Sequence, residues 1–372
     1  MEERAGAKRT QAAKNGRITL CAVMRNEERT VARMLASVAD ALGGDLVAVL
    51  LVDTGSTDET IAVSEETLRG LHKSGGIEWR IFEDEWVNFG VNRTRMLDQA
   101  RTMSGAYLLL LDCDMTLTAS GPVPDLDGVG YMLEVEGDAS TAYWTTRLVS
   151  AAHEWKFVGS THEVLQNSGG LPKLDVLTVH HHHDGGYRHD KFDRDRRLLE
   201  EAVRDDPTDA RSAFYLAQTY RDLGSPLKAA KAYDRRAALG GWDEEVYFSL
   251  YQAGLLRRSI EGLLLAFESC PRRGEALYEV LGLMRQQEMW RTAHALATYG
   301  RDLEMPAGDV LFLEPWIYDW GLKFEYSITS YWVGDPEACV RMSEMLLGRT
   351  DLPPAFRTAA EQNAALGRAA SA

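Results

Sequence analysis

The chain has 372 residues, of which 45% are hydrophobic and 26% charged. At about 150 residues per domain this allows two domains with real cores and excludes a wholly disordered or fibrous protein. A formal charge of −15 argues against broad nucleic-acid binding and against attachment to anionic lipid, so an anionic substrate must be drawn by a local basic cluster or a metal. The longest apolar runs fall well short of the ~20 residues of a membrane span. Met1–Arg17 has no apolar signal region, and Cys21, Cys113, Cys270 and Cys339 form no CxxC pair. The expectation is a cytoplasmic protein without membrane span or disulfide framework.

Residues 1–16 read as a flexible leader. Ile18–Val23 is expected as a buried strand, followed by a helix capped by Asn26 with apolar positions Val31, Met34, Leu35 and Val38, ending at Gly43-Gly44. The continuous apolar run Leu46–Val52 predicts a strand covered on both faces. Ser56-Thr57-Asp58-Glu59 reads as a capping box for a second helix, closed by Gly75-Gly76. Glu78–Phe82, Val91–Ala100 and Tyr107–Leu111 continue the alternation as strand, helix and strand, which predicts a mostly parallel α/β sheet flanked by helices. Ligands of such sheets bind beyond the carboxyl ends of the strands. That rule gathers Met24–Glu27, Asp53–Asp58 and Asp112–Asp114 on one rim.

From Gly130 to Val179 the texture changes to short strands, Tyr131–Val135, Tyr143–Val149 and Leu174–Val179. A histidine-rich linker over 180–200 follows, including Asp190–Asp195. Residues 201–350 read as a helical repeat domain. Ala213–Tyr220, Gly224, Ala229 and Tyr233 have the small/large spacing of a tetratricopeptide helix pair, echoed by Leu281-Gly282, Trp290, Ala293 and Pro306. Trp242–Ser269 fits the repeat poorly, and residues 351–372 read as an alanine-rich tail.

Asp112 and Asp114 flank Cys113 at the end of an apolar strand, where two carboxylates one residue apart can hold a hard divalent cation and a ribose hydroxyl. Asp53 ends another buried strand and can accept from a base N–H, or can simply brace a turn and helix start. Arg25 and Glu27 follow the first strand, where the plain reading is a solvated helix start. Asn88 and Arg93 lie between the third and fourth strands, and arginine there can neutralise a diphosphate that the overall charge repels.

This ordered set resembles glycosyltransferase family 2 with the GT-A fold. The stretches that carry the resemblance are Ile18–Glu27, Leu51–Asp58, Asn88–Thr94 and Leu111–Met115, all in the first third of the chain. The resemblance implies that Arg25, Glu27 and Asp53 hold the nucleotide of a donor such as a UDP-sugar, with Asn88, Arg93 and Cys113 in the same donor site. It implies further that Asp112 meets the ribose or metal and that Asp114 ligates Mn2+ or Mg2+. Met115 stands where many relatives carry a third acid. Trp155–Leu165 looks like the Gly-x-x-His-Glu segment of relatives that build lipopolysaccharide core or glycosylate peptides. It nominates Glu163 as the base that takes the acceptor proton, with His162 orienting the acceptor or facing the metal. A zinc-protease motif is excluded because His162-Glu163 lacks the second histidine of H-E-x-x-H.

His180 or His182 is expected to complete the metal sphere, as a histidine past the last strand does in some GT-A enzymes. Alternation in an extended run lets at most two of His180–His183 converge. Trp144 and Arg147 are candidate acceptor contacts. The function so implied is inverting, metal-dependent sugar transfer from a nucleotide-sugar to a peptide, protein or natural-product acceptor. The helical repeat would bind the acceptor or form a homodimer. The competing reading is a non-catalytic helical-repeat adaptor with a relic GT-A domain. A sugar-nucleotidyltransferase is disfavoured, since Met24–Glu27 has no glycine with which to grip a triphosphate.

Overall fold

The structure is a computed structural model, and it describes residues 17–137, 142–166, 168–185 and 191–371. The leader at 1–16 and part of the expected linker, 186–190, lie outside the described residues. The chain divides into two compact units, Met1–Leu198 and Leu199–Ala372.

The first unit runs β1 (Ile18–Met24), α1 (Val31–Leu42), β2 (Leu46–Asp53), α2 (Thr60–Gly75), β3 (Glu78–Glu83), α3 (Phe89–Ala100) and β4 (Tyr107–Leu110), as the alternation predicts. It continues with β5 (Met115–Ala119), β6 (Gly130–Glu136), β7 (Ala142–Ser150), the two-residue strands β8 (Phe157–Val158) and β9 (Val164–Leu165), and β10 (Lys173–His181). Among the described residues these form an eight-stranded sheet of order β3-β2-β1-β4-β7-β6-β10-β5 and a small β8-β9 hairpin. The pairs β1–β2, β1–β4, β2–β3 and β6–β10 are parallel, whereas β4–β7, β6–β7 and β5–β10 are antiparallel.

β1, β2 and β4 are buried on both faces because they read as unbroken apolar runs. Val31, Met34, Leu35, Val38 and Leu42 of α1 pack into the core beneath one face, and Met96, Leu97 and Ala100 of α3 pack beneath the other. This layering fixes the strand ends of β1, β2 and β4 side by side.

Two helix starts differ from expectation. Asn26 does not cap α1, whose N-cap is Thr30. With φ of 56°, a conformation asparagine tolerates, it accepts the Thr57 N–H at 2.8 Å, and its own N–H donates to Ser56 Oγ at 2.9 Å. The capping box is likewise absent. Ser56 serves this cross-link, and α2 begins at Thr60. Residues that look like caps in the sequence instead stitch two rim loops together.

The second unit takes in the end of α4 (Lys191–Asp205), then α5 (Ala210–Asp222), α6 (Pro226–Ala238), α7 (Asp243–Arg257), α8 (Ile260–Ser269), α9 (Glu275–Gln286), α10 (Trp290–Gly300), α11 (Leu322–Val333), α12 (Pro336–Leu347) and α13 (Pro354–Ser371). Ala213, Phe214 and Ala217 of α5 and Ala229 and Tyr233 of α6 are buried, as the repeat spacing predicts. The poorly fitting stretch Trp242–Ser269 is a regular helix pair. Gly254 and Gly262 let α7 and α8 approach so closely that a Cβ on Gly254 would lie 2.8 Å from the Leu263 nitrogen. The alanine-rich residues 354–371 form α13, in which Ala360, Ala364 and Gly367 make a buried helical stripe. The expected linker is also shorter than read: His180 and His181 close β10, and the unit boundary falls inside α4.

Candidate functional site

The ends of β1 and β4, the α3 N-terminus, the segment after β10 and the start of α4 enclose a cleft of about 320 Å³. Arg25, Glu27, Arg93, Asp112, Asp114 and His181 line it, together with Thr54, Trp86, Phe89, Cys113, His183, Gly185 and Arg194. The strand-end rule thus brings together the first and fourth strand ends, with the second contributing Thr54. Asp114 Oδ2 lies 3.2 Å from His181 Nε2. A Cβ built on Gly185 would fall 3.2 Å from both Asp114 Oδ2 and Glu27 Oε1, so two carboxylate oxygens converge where the chain passes without a side chain. Glu27 is held in turn by the Thr30 hydroxyl, which donates to Oε2 at 2.6 Å.

Asp112 faces arginines. Arg93 pairs with its Oδ1, and Arg147 Nη1 stands 3.9 Å from Oδ2. Burial alone would raise the Asp112 pKa, but Arg93, Arg147 and His181, with the hydrogen bond from Arg93, outweigh it and hold the carboxyl below its usual range. Burial, with the charges of Glu27, Asp112 and Asp114, pushes the Cys113 thiol far up, which favours its neutral form.

Arg93 also pairs through Nε with Glu163 Oε1 at 3.0 Å. It therefore joins the Asp112 carboxylate to that of Glu163, and it lines a second cavity as well. This cavity, about 240 Å³, is walled by Arg93, Asp112, Thr145, Thr146, Arg147, Glu163 and Ser168 over an apolar floor of Leu110, Phe157, Val164 and Leu165. The approach that makes this possible is a backbone contact. A Cβ on Gly90 of α3 would sit 2.3 Å from the Gly159 carbonyl oxygen, and Gly159 itself has φ of 111°. The Phe89 N–H donates to the Ser160 carbonyl at 3.1 Å, and the Phe157 N–H donates to Thr94 Oγ1 at 3.0 Å. The β8–β9 hairpin that carries Glu163 is thereby locked onto α3.

Several expected residues lie elsewhere. Asp53 is only 2% exposed and outside both cavities, where Oδ2 accepts the Gly55 and Ser56 N–H groups at 3.0 Å and Oδ1 accepts the Ser56 hydroxyl. It braces the β2–α2 turn. Asn88 is the N-cap of α3, accepting from the Val91 N–H at 2.9 Å. Trp144 stacks under the Lys173 ammonium at 4.6 Å and lines neither cavity. His162 is exposed, with φ of 51°.

The histidine expectation needs correction. His180 bonds Thr118 Oγ1 at 2.8 Å and pairs with Glu136 at 3.0 Å, while His182 bonds Thr116 Oγ1 at 2.8 Å. Alternation along β10 turns these two toward β5, and it is His181, tilted against His183 at 3.6 Å between ring centroids, that meets Asp114. Arg194, read as linker, is a cleft residue whose guanidinium lies 5.2 Å from the Phe89 ring centre. A cationic side chain eleven residues past the end of the histidine run was the available signal.

Residues 19–120 match the family model described as glycosyl transferase family 2. No curated protein matches the chain. Among solved structures it is similar to the MamA protein, at 15% identity and a TM-score of 0.33, over 44% of this chain and 88% of MamA. It is similar also to YrrB, a TPR protein with an unusual peptide-binding site, at 11% identity and a TM-score of 0.32, over 49% of this chain and 84% of that one. A third is glucosyl-3-phosphoglycerate synthase from Mycobacterium tuberculosis, in complex with Mn2+, uridine diphosphate and glucosyl-3-phosphoglycerate. There the identity is 22% and the TM-score 0.22, over 31% of this chain and 40% of the synthase. The family match thus falls on residues 19–120, ahead of a helical domain.

Proposed function

We propose that this chain is an inverting glycosyltransferase that moves a sugar from a nucleotide-sugar, a UDP-sugar in the first instance, to a hydroxyl-bearing or other nucleophilic acceptor. The observation that carries the reading is the Asp112-Cys113-Asp114 turn at the end of β4, which puts two carboxylates and three arginines on one cleft within the family-matched domain. Arg25 and Arg194 supply positive charge for a diphosphate that a chain of −15 would otherwise repel. Arg93 holds Asp112 ionised and places Glu163 beside it.

A divalent cation fits this donor set. Asp114 offers the carboxylate oxygen that Mn2+ or Mg2+ prefers, and His181, 3.2 Å from it, an imidazole nitrogen better suited to Mn2+ than to Mg2+. Among the described residues no group of three or more His, Cys, Asp or Glu side chains is placed to hold a metal ion. A cation here would be held by one or two side chains together with substrate phosphates. When bound, it would offset charge on the departing diphosphate.

In the transfer, the acceptor oxygen forms a bond to the anomeric carbon from the face opposite the diphosphate. The bond from that carbon to the phosphate oxygen breaks, its electron pair leaves with the nucleoside diphosphate, and the acceptor proton passes to the Glu163 carboxylate. Arg93 engages Glu163 Oε1, which leaves Oε2 as the proton acceptor. The helical domain is assigned acceptor binding or homodimerisation.

The test is calorimetric titration of UDP, with and without MnCl2, into wild type and Asp114→Ala. Metal-dependent binding that the substitution abolishes supports the donor site, and hydrolysis of a UDP-sugar by wild type alone supports catalysis. No binding under any condition returns the chain to the adaptor reading.

A further inference from the structure

Charged side chains buried in this chain are, as a rule, tightly paired. Arg236 meets Glu245 at 2.8 and 3.0 Å, Arg285 meets Glu325 at 3.1 and 3.2 Å, and Arg93 holds both Asp112 and Glu163. Arg147 breaks the rule. Its side chain is only 14% exposed, yet among the described residues its polar contacts are the Leu110 carbonyl at 3.4 Å and Asp112 Oδ2 at 3.9 Å. A guanidinium carries five donors, and leaving a largely buried cation so poorly compensated costs stability. It stands in the wall of the second cavity, the one that holds Glu163.

We infer that this cavity takes an acceptor whose reactive hydroxyl sits beside an acidic group, a carboxylate or a phosphate, and that Arg147 is the residue that reads the acid. The inference rests on the glycosyl-transfer reading. Three features favour it. Arg93 spends its charge on two carboxylates, so Arg147 is the less committed cation of the cavity. A planar guanidinium matches an oxyanion with two parallel hydrogen bonds. Thr145, Thr146 and Ser168 make the rest of the polar wall, which suits a hydroxylated group better than an aromatic scaffold. At about 240 Å³ the cavity is smaller than the roughly 300–1,000 Å³ of drug-sized sites, so it admits a head group rather than a whole natural product.

The test uses the full chain saturated with UDP and MnCl2, titrated with glycerol, glycerate and glycerol 1-phosphate, which share their hydroxyls and differ in the acid. Wild type is expected to bind at least one acid about 10–100-fold more tightly than glycerol, the range of a charge-assisted bidentate contact. Arg147→Gln should lose that preference and Arg147→Lys should keep part of it, with thermal unfolding checking that both variants fold. A preference for glycerate over the phosphate, or the reverse, identifies the acid. Equal binding of all three compounds, no binding of either acid, or an acid preference that survives in Arg147→Gln overturns the inference. Failure of wild type to bind UDP is a different result, which removes the donor reading instead.

Discussion

Arg33 of α1 and Asp184, 151 residues apart in the sequence, are joined by two parallel hydrogen bonds of 2.8 and 2.6 Å. The clasp ties the segment leaving β10 to α1, one residue after His183 and one before Gly185, where that segment crosses Asp114 and Glu27. Both partners are substantially exposed, so the pair is worth little as bulk stability, and its bidentate geometry is what gives it positional value. Arg33→Gln and Asp184→Asn are each expected to weaken Mn2+-dependent UDP binding by about 2–5-fold, with little change in melting temperature. The exchanged double variant, Arg33→Asp with Asp184→Arg, should recover part of the loss. Calorimetry at low and high salt checks this, since the wild-type advantage must shrink as salt screens the pair.

The histidine run gives a sharper contrast. His181→Ala removes the imidazole 3.2 Å from Asp114, whereas His180→Ala removes one bonded to Thr118 and Glu136. Losing a ligand should cost at least what losing an outer-shell partner costs, about 10–100-fold in metal affinity. Mn2+ titration followed by electron paramagnetic resonance should therefore show that loss for His181→Ala and near wild-type affinity for His180→Ala. Equal effects of the two substitutions would defeat the assignment.

These residues show how far the sequence reaches. The strands, the helices between them and the Asp112–Asp114 turn were legible because apolar runs and strand ends are local properties. Within His180–His183 the alternation was legible but its phase was not. Pairing of β10 with β5 decides which histidines face the cleft, and β5, the short alternating stretch Met115–Ala119, was not read as a strand. Asp53 was open between a ligand contact and bracing a turn, and its hydrogen bonds to the Gly55 and Ser56 N–H groups show the bracing. That Asn88 caps α3 and that Ser56 links two rim loops instead of capping a helix depends on backbone geometry the sequence does not display. The link from Arg93 to Glu163 depends on Gly90 meeting Gly159 across the fold, a contact with no local signature.

That contact yields its own prediction. Gly90→Ala would place a methyl carbon 2.3 Å from the Gly159 carbonyl oxygen, and backbone on both sides leaves no flexible side chain to yield. Overpacking of this kind costs about 1–3 kcal/mol. Because the shift moves α3 relative to the β8–β9 hairpin, it separates Arg93 from Glu163. Transferase activity should fall by more than the loss of folded protein explains. A melting curve alongside kcat on the same preparation checks it, and an unchanged kcat would show that the spacing is not critical.

In the helical domain Arg273 is fully buried, bonded to Glu275 at 3.0 Å and to the Leu311 and Phe312 carbonyls, with Glu244 and Asp309 at 3.8 and 3.7 Å. Glu244 accepts the Val310 and Leu311 N–H groups, so the cluster pins the long connection before α11. Arg273→Met strands buried carboxylates without their cation and should cost about 3–5 kcal/mol. Urea unfolding followed by circular dichroism measures it. A loss below 1 kcal/mol, on the order of a surface pair, would mean that the carboxylates find other partners.

The last prediction concerns pH. Burial, reinforced by the nearby charge of Glu314, raises the Glu279 carboxyl above its usual range, with Arg258 opposing. A raised carboxyl pKa means that the folded state holds the proton more tightly than the unfolded chain does. The stability it contributes is therefore complete below the unfolded value and is lost as pH rises through the raised folded value. Glu279→Gln keeps the neutral form at every pH, so it should raise the melting temperature of the helical domain by about 1–3 °C well above the raised folded value and by progressively less as pH falls from there toward the unfolded value. His294, whose pKa burial lowers, destabilises the same domain on acidification. It does so in both proteins and cancels from the difference between them. Thermal unfolding of wild type and Glu279→Gln across this pH range decides the matter. A gain that stayed constant with pH would point to packing rather than to the carboxylate charge.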